Sequence, residues 1–176
     1  MDVNERNGMG WWMAITPDTR QRMIEAFDKL PLAIEIVTAR GTVGLLHAEV
    51  PIGMDWEQFK QNVLAGNTRT IHSALWGRTR AEQGEPSGVG VKGVGRLYVG
   101  HTPQWKGLRR NGNIYFLDTG AVFYNIGRED EGRLTLVNAI THTEDLLQPK
   151  PYKPIDVREG RMLATPFGTS LVSAEY

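Results

Sequence analysis

Residues 32–47 constrain the fold of this chain more than any other stretch. Leu32-Ala-Ile-Glu-Ile-Val-Thr38 is dense in β-branched residues, Arg40-Gly41 turns the chain, and Thr42-Val-Gly-Leu-Leu-His47 reads as the paired return strand. Helices flank this hairpin. Thr16 can cap a helix whose first position suits Pro17, and Met23, Phe27 and Leu30 then fall on one stripe, predicted to be buried, before Pro31 ends the element. Downstream, Asp55-Trp56-Glu57-Gln58 has the form of a capping box, with Phe59 and Val63 continuing an apolar face to about Leu64. Residues 68–78 read as a second short helix carrying Ile71, Leu75 and Arg78. Gly84, Pro86, Gly88, Gly90 and Gly93 make 80–94 a loop. Strands are predicted at 96–99, 113–118 and 133–138, the last by its alternation. The expected class is α/β.

A length of 176 residues suits one domain. It divides into a folded part, 1–148, and an extended tail, 149–176, marked by Pro149, Pro151, Pro154 and Pro166. The 20 basic and 20 acidic residues cancel, so neither nucleic acid nor an anionic membrane is an expected partner. With no cysteine, disulfides and thiolate metal sites are excluded, and a reducing cytoplasmic location is expected. No apolar run approaches the roughly 18 residues of a membrane span, and no signal-peptide pattern is expected at the N-terminus. The 20 glycines concentrate in 84–100 and 107–132, as in backbone shaped around a ligand or another chain.

Two of the four histidines stand at predicted strand ends. His47 closes the 42–47 strand, and His101 follows the 96–99 strand after Gly100. Imidazole is the commonest metal ligand, and a strand-to-loop junction holds it rigidly yet open to solvent. An isolated histidine is more often a hydrogen-bonded structural residue, and His72 and His142, without such a setting, are read that way.

Beyond the histidines, a longer pattern resembles a known family. Gly100-His101-Thr102-Pro103, the run Ile114-Tyr-Phe-Leu-Asp-Thr-Gly-Ala-Val-Phe123, and Leu134-Thr135-Leu136 look like the C-terminal signature of bacterial and phage serine/threonine protein phosphatases of the lambda type. Leu30-Pro31-Leu32 leading into Ile34–Val37, then Leu46-His47-Ala48-Glu49, resembles that family's strand pair ending in a ligand histidine. Leu75-Trp76-Gly77-Arg78 resembles its Trp-x-Arg segment, and Asn7-Gly8-Met9-Gly10-Trp11-Trp12 its Gly-rich aromatic stretch. The resemblance spans about residues 7–138.

This resemblance implies part of the calcineurin-like metallophosphoesterase β-sandwich with flanking helices. The whole family enzyme hydrolyses phosphomonoesters on Ser, Thr or Tyr with water activated between Mn, Fe or Zn ions. By resemblance, His47 and His101 are metal ligands and Arg78 clamps phosphate, a task that suits a guanidinium able to grip two oxygens at once. The competing reading of Arg78 is a helix-surface salt bridge. Asp118 and Thr119 would support a turn beside the site, or equally form an ordinary Asx-type turn. Glu49 stands where the family usually has Asp.

The family's remaining metal motifs, Gly-Asp-x-His, Gly-Asp-x-x-Asp-Arg-Gly and Gly-Asn-His-Glu, do not occur in this sequence. The expectation is therefore a phosphatase-like protein with an incomplete metal site, weak or absent metal binding, and no activity as an isolated chain. It would be a fragment, half of a split enzyme, or a catalytically inactive binding or inhibitory protein on a degenerate scaffold. Part of a dinucleoside polyphosphate hydrolase is the alternative substrate class. A homo-oligomer or partner chain is expected to cover strand faces at 32–38, 42–47 and 96–99 that the missing half would leave bare, together with Trp11, Trp12 and Met13.

Overall fold

The computed structural model describes residues 10–83, 88, 90–124 and 132–139. The 149–176 tail, His142 and the Asn7-Gly8-Met9 part of the family-like stretch lie outside the described residues.

After a 3-10 turn at Gly10–Met13, helix α1 (Pro17–Phe27) starts as its cap chemistry dictates: Thr16 Oγ1 accepts the Thr19 amide at 3.2 Å, and Pro17 opens the helix. The stripe of Met23, Phe27 and Leu30 is not buried. No residue of α1 is buried, Phe27 and Leu30 are exposed, and no described strand or helix packs extensively against it. A cap acts within one turn, whereas burial needs an opposing surface.

Strands β1 (Ala33–Thr38) and β2 (Gly41–Leu46) form the predicted hairpin, antiparallel from Ala33 opposite Leu46 to Thr38 opposite Gly41. The crossover that follows carries α2 (Trp56–Leu64), α3 (Thr68–Trp76) and the short α4 (Thr79–Glu82) before β3 (Arg96–Val99) returns parallel to β2. Strand β4 (Arg109–Asn111) turns through Gly112, at φ 59°, into β5 (Ile114–Phe116), which lies parallel to β3, and α5 (Ala121–Tyr124) closes the described run. Among the described residues the result is a mixed α/β fold on an open five-stranded sheet of order β1-β2-β3-β5-β4.

Several boundaries differ from the sequence reading for local reasons. The 68–78 helix stops at Trp76 because Gly77 is extended (φ −64°, ψ 137°), and the 80–94 loop overlaps α4. The expected 133–138 strand is only an isolated bridge between Gly120 and Arg133. Thr119 explains this: its hydroxyl donates to the Arg133 carbonyl at 2.7 Å and lies 2.8 Å from Thr135 Oγ1, so side chains hold this segment in place of a ladder. Arg109-Arg110-Asn111 carries no strand pattern at all; it pairs because the Gly112 turn presents it to β5.

The main core lies on one face of the sheet. Leu46, Leu97, Val99, Ile114 and Phe116 pack there under Trp56 and Phe59 of α2, whose rings stack at 5.3 Å, and under Ala74 and Ala81. A Cβ at Gly44 would lie 2.9 Å from both Trp56 and Leu97, so glycine admits the indole onto the sheet. The opposite face is covered too. Val43, Tyr98 and Tyr115 are buried there against Leu108, Leu117, Val137 and Ala139. The expectation of bare faces on β2 and β3 is thus corrected, because residues 137–139 lie over the second face without being a strand. Exposure persists at the outer strand β1, where Val37 is 80% exposed.

Glu35 of β1 fastens α2 to the sheet. Its Oε2 accepts the buried Trp56 indole N–H and pairs with Lys60 Nζ at 3.0 Å. Lys60, then Trp56, hold the Glu35 carboxyl below its ordinary range. A depressed carboxylate pKa gives stability that is present at neutral pH and lost as pH falls through the folded pKa. Glu35→Gln is therefore expected to lower Tm by roughly 2–5 °C at pH 7. The gap to the parent should narrow below about pH 4. Thermal melts at both pH values check this; a gap independent of pH would show that the carboxylate's charge contributes nothing.

Candidate functional site

The sheet brings the two strand-end histidines together. Leu46 and Val99 are register partners at the ends of parallel neighbours β2 and β3, so both chains leave the sheet at the same edge. The Gly100 amide then donates to the His47 carbonyl at 2.9 Å, carrying the alignment one step past the sheet. His47 Nε2 and His101 Nδ1 end 3.0 Å apart, with ring centroids 4.8 Å apart.

His101 holds a backbone conformation that side chains disfavour. At φ 68° it is the non-glycine residue in the left-handed region among those described, at a cost of about 1–3 kcal/mol, and such strain concentrates at functional positions. The Thr102 amide donates to the Gly100 carbonyl at 2.8 Å across this turn. On the far side, the Trp76 ring meets the imidazole edge-to-face at 5.6 Å and 85°. His101 Nε2 and Thr102 Oγ1 are both buried without a hydrogen-bond partner among the described residues.

The spacing suits metal binding. Ligand nitrogens each about 2.0–2.1 Å from one ion and at a right to tetrahedral angle lie about 2.9–3.4 Å apart, and an N–H···N hydrogen bond fits the same separation. The electrostatics favour the neutral, ligating form of His101. Burial lowers its pKa most, the Arg78 and His47 charges lower it further, and Asp118 opposes them. As a donor set the pair is short. A zinc site usually takes at least three protein ligands, and among the described residues no group of three or more His, Cys, Asp or Glu could hold an ion.

Arg78 is the cation at this site. It is exposed, it occupies the residue before α4, and its charge reaches His101. Among the described residues it makes no salt bridge, so the helix-surface ion pair is not formed there. Asp118 takes the Asx-turn form, its Oδ1 accepting the Gly120 amide at 2.8 Å, while its carbonyl accepts the Gln104 amide at 2.8 Å and so ties the His101 loop to the end of β5. His72 is exposed on α3.

The sequence reading missed how firmly the Arg78 segment is held. Glu49 is buried, and its Oε2 accepts the Arg80 amide at 2.8 Å, which fixes the start of α4. Gly77 leaves room for that carboxylate, since a Cβ there would lie 2.6 Å from Glu49 Oε1. Arg80 turns inward, its Nε donating to the Val50 carbonyl at 2.7 Å and a terminal nitrogen to the Pro51 carbonyl at 3.2 Å. Arg109 takes up carbonyls at the other end, those of Arg80 (3.1 Å), Gln83 (2.7 Å) and Ala81, while lying over Phe116. Amides of Ala48 and Glu49 donate to the Ala74 and Ser73 carbonyls at 2.9 and 3.4 Å, so the residues after His47 also clasp the end of α3. A buried arginine so close to an exposed one gives no signal in a single sequence, because Arg78 reads as a polar helix residue and Arg80 as the first residue of a loop, and neither pattern marks burial.

An open groove of about 480 Å³ runs elsewhere, along α2, lined by Ile52, Gly53, Met54, Gln58, Gln61 and Asn62. It carries no charged side chain, and Gln58 is already spent on the α2 cap. No protein-family profile and no curated protein matches this chain.

Proposed function

We propose that this chain is a phosphate-ester-binding domain of metallophosphoesterase type, related to the serine/threonine phosphatases its motifs resemble. His47 and His101 supply part of a divalent-metal site, and Arg78 clamps the phosphate. The convergence of His47 Nε2 and His101 Nδ1 at 3.0 Å, from the ends of adjacent parallel strands, carries this reading. The left-handed His101 and an exposed Arg78, which makes no salt bridge among the described residues and whose charge reaches His101, support it.

A divalent ion at the imidazole pair would polarise a phosphoryl oxygen as a Lewis acid. The chain's own residues do the rest: Glu49 and Arg109 hold the Arg78 segment, and Asp118 fixes the loop that carries His101. Hydrolysis needs the bridging carboxylate and further ligands of the full family site, whose motifs this sequence lacks. That absence favours a second reading, a binding or inhibitory protein on the same scaffold. A second copy or partner chain could supply the rest, and β1, the outer strand of the sheet, offers it an edge to pair with.

Calorimetric titration with Zn or Mn tests the reading. The parent is expected to bind weakly, with affinity falling as pH drops through the imidazole range because protons compete. His47→Ala/His101→Ala should bind at least tenfold more weakly, the loss usual even for outer partners of a metal ligand. Equal affinities for parent and double variant would reject the site. Hydrolysis of an aryl phosphate with Mn should stay at background; robust turnover that follows the protein through purification would mean that a replacement site exists.

A further inference from the structure

We infer that Trp76 sets ligand preference at this site by stacking on a planar group attached to the phosphate that Arg78 holds. The inference rests on reading Arg78 as the phosphate clamp, and it adds the class of ester: one whose alcohol part is aromatic or otherwise flat.

Trp76 is the last residue of α3, and Arg78 follows it by two positions. One part of the indole meets His101 edge-to-face at 5.6 Å. Even so the residue is 58% exposed. A tryptophan whose whole task was to wedge His101 into its strained conformation would gain by being buried, as Trp56 is in the core. Here more than half of the surface stays open, beside a histidine pair and a cation.

The backbone under the indole is not loose. The Ser73 carbonyl accepts the Glu49 and Gly77 amides, and the Ala74 carbonyl accepts the Ala48 amide. Gly77 is packed so closely on Glu49 that no side chain fits there. The ring is therefore presented from a fixed frame, which reduces the ordering cost when a ligand stacks on it. Exposed aromatic faces on rigid elements serve as such platforms because a ring supplies apolar area at small entropic cost.

The probes are inorganic phosphate and phenyl phosphate, titrated into the full chain in the presence of Mn. In the parent, phenyl phosphate is expected to bind about three- to tenfold more tightly than inorganic phosphate, the range of an aromatic pair. Trp76→Ala should erase that preference, with phenyl phosphate affinity falling further than inorganic phosphate affinity until the two are equal, and Trp76→Phe should keep part of it. A preference that survives in Trp76→Ala overturns the inference. So does an equal fall for both ligands, which would make Trp76 a positioning residue for His101. Arg78→Ala without effect on either ligand would instead overturn the phosphate-clamp reading beneath it, and a parent that binds neither ligand overturns both.

Discussion

Trp56→Ala is expected to cost about 3–5 kcal/mol, the range for deleting a large buried aromatic. Against a total of about 5–15 kcal/mol for a domain, that leaves the chain close to unfolding. Trp56 is 1% exposed, stacks on Phe59, touches the sheet at Gly44, and donates its indole N–H to Glu35. One truncation thus opens a cavity between α2 and the sheet and removes the donor that Glu35 accepts from. Trp56→Phe separates these contributions. It keeps most of the ring and loses the N–H, so it should cost roughly 1–2 kcal/mol. Urea unfolding of the parent and both variants measures this. A Trp56→Ala cost below about 1 kcal/mol would mean that α2 is not held by this side chain.

Arg80→Ala should have the next largest effect, about 3 kcal/mol. The guanidinium is buried, and burial holds its pKa below the ordinary arginine value while the Glu49 charge pulls it back up. Removing it strands the Val50 and Pro51 carbonyls and takes the positive charge from beside a buried carboxylate. Arg80→Met keeps much of the volume without the charge, so it should recover only the packing share of the loss. The same variants bear on the site. Arg80 and Arg78 share the short segment that Glu49 and Arg109 hold, so a displaced α4 moves Arg78 away from His101. On the proposed reading of Arg78 as a phosphate clamp, phosphate affinity should therefore fall with Arg80→Ala although that side chain is itself buried. Denaturant melts paired with phosphate titration check both parts; a destabilised variant with unchanged phosphate affinity would uncouple the clamp from the segment's rigidity.

Features that depend on a few neighbouring residues were legible in the sequence. Thr16-Pro17 starts α1, Asp55 and Gln58 form the reciprocal cap of α2, and the turn after Thr38 pairs β1 with β2. Each needs only groups within about one turn of chain, so local chemistry decides it. The positions of His47 and His101 at strand ends were legible for the same reason. The tertiary structure alone decided that β3 lies beside β2, which is what turns two separate histidines into a pair at 3.0 Å, since a parallel neighbour is reached only through a long crossover. It also decided that Arg80 goes inward while Arg78 stays outside, because the Val50 and Pro51 carbonyls and the Glu49 carboxylate arrive from some 30 residues away. The exposed stripe of α1 and the covered second face of β2 and β3 follow the same physics: a periodic pattern gives a residue's direction, and burial depends on whether another part of the chain comes to meet it.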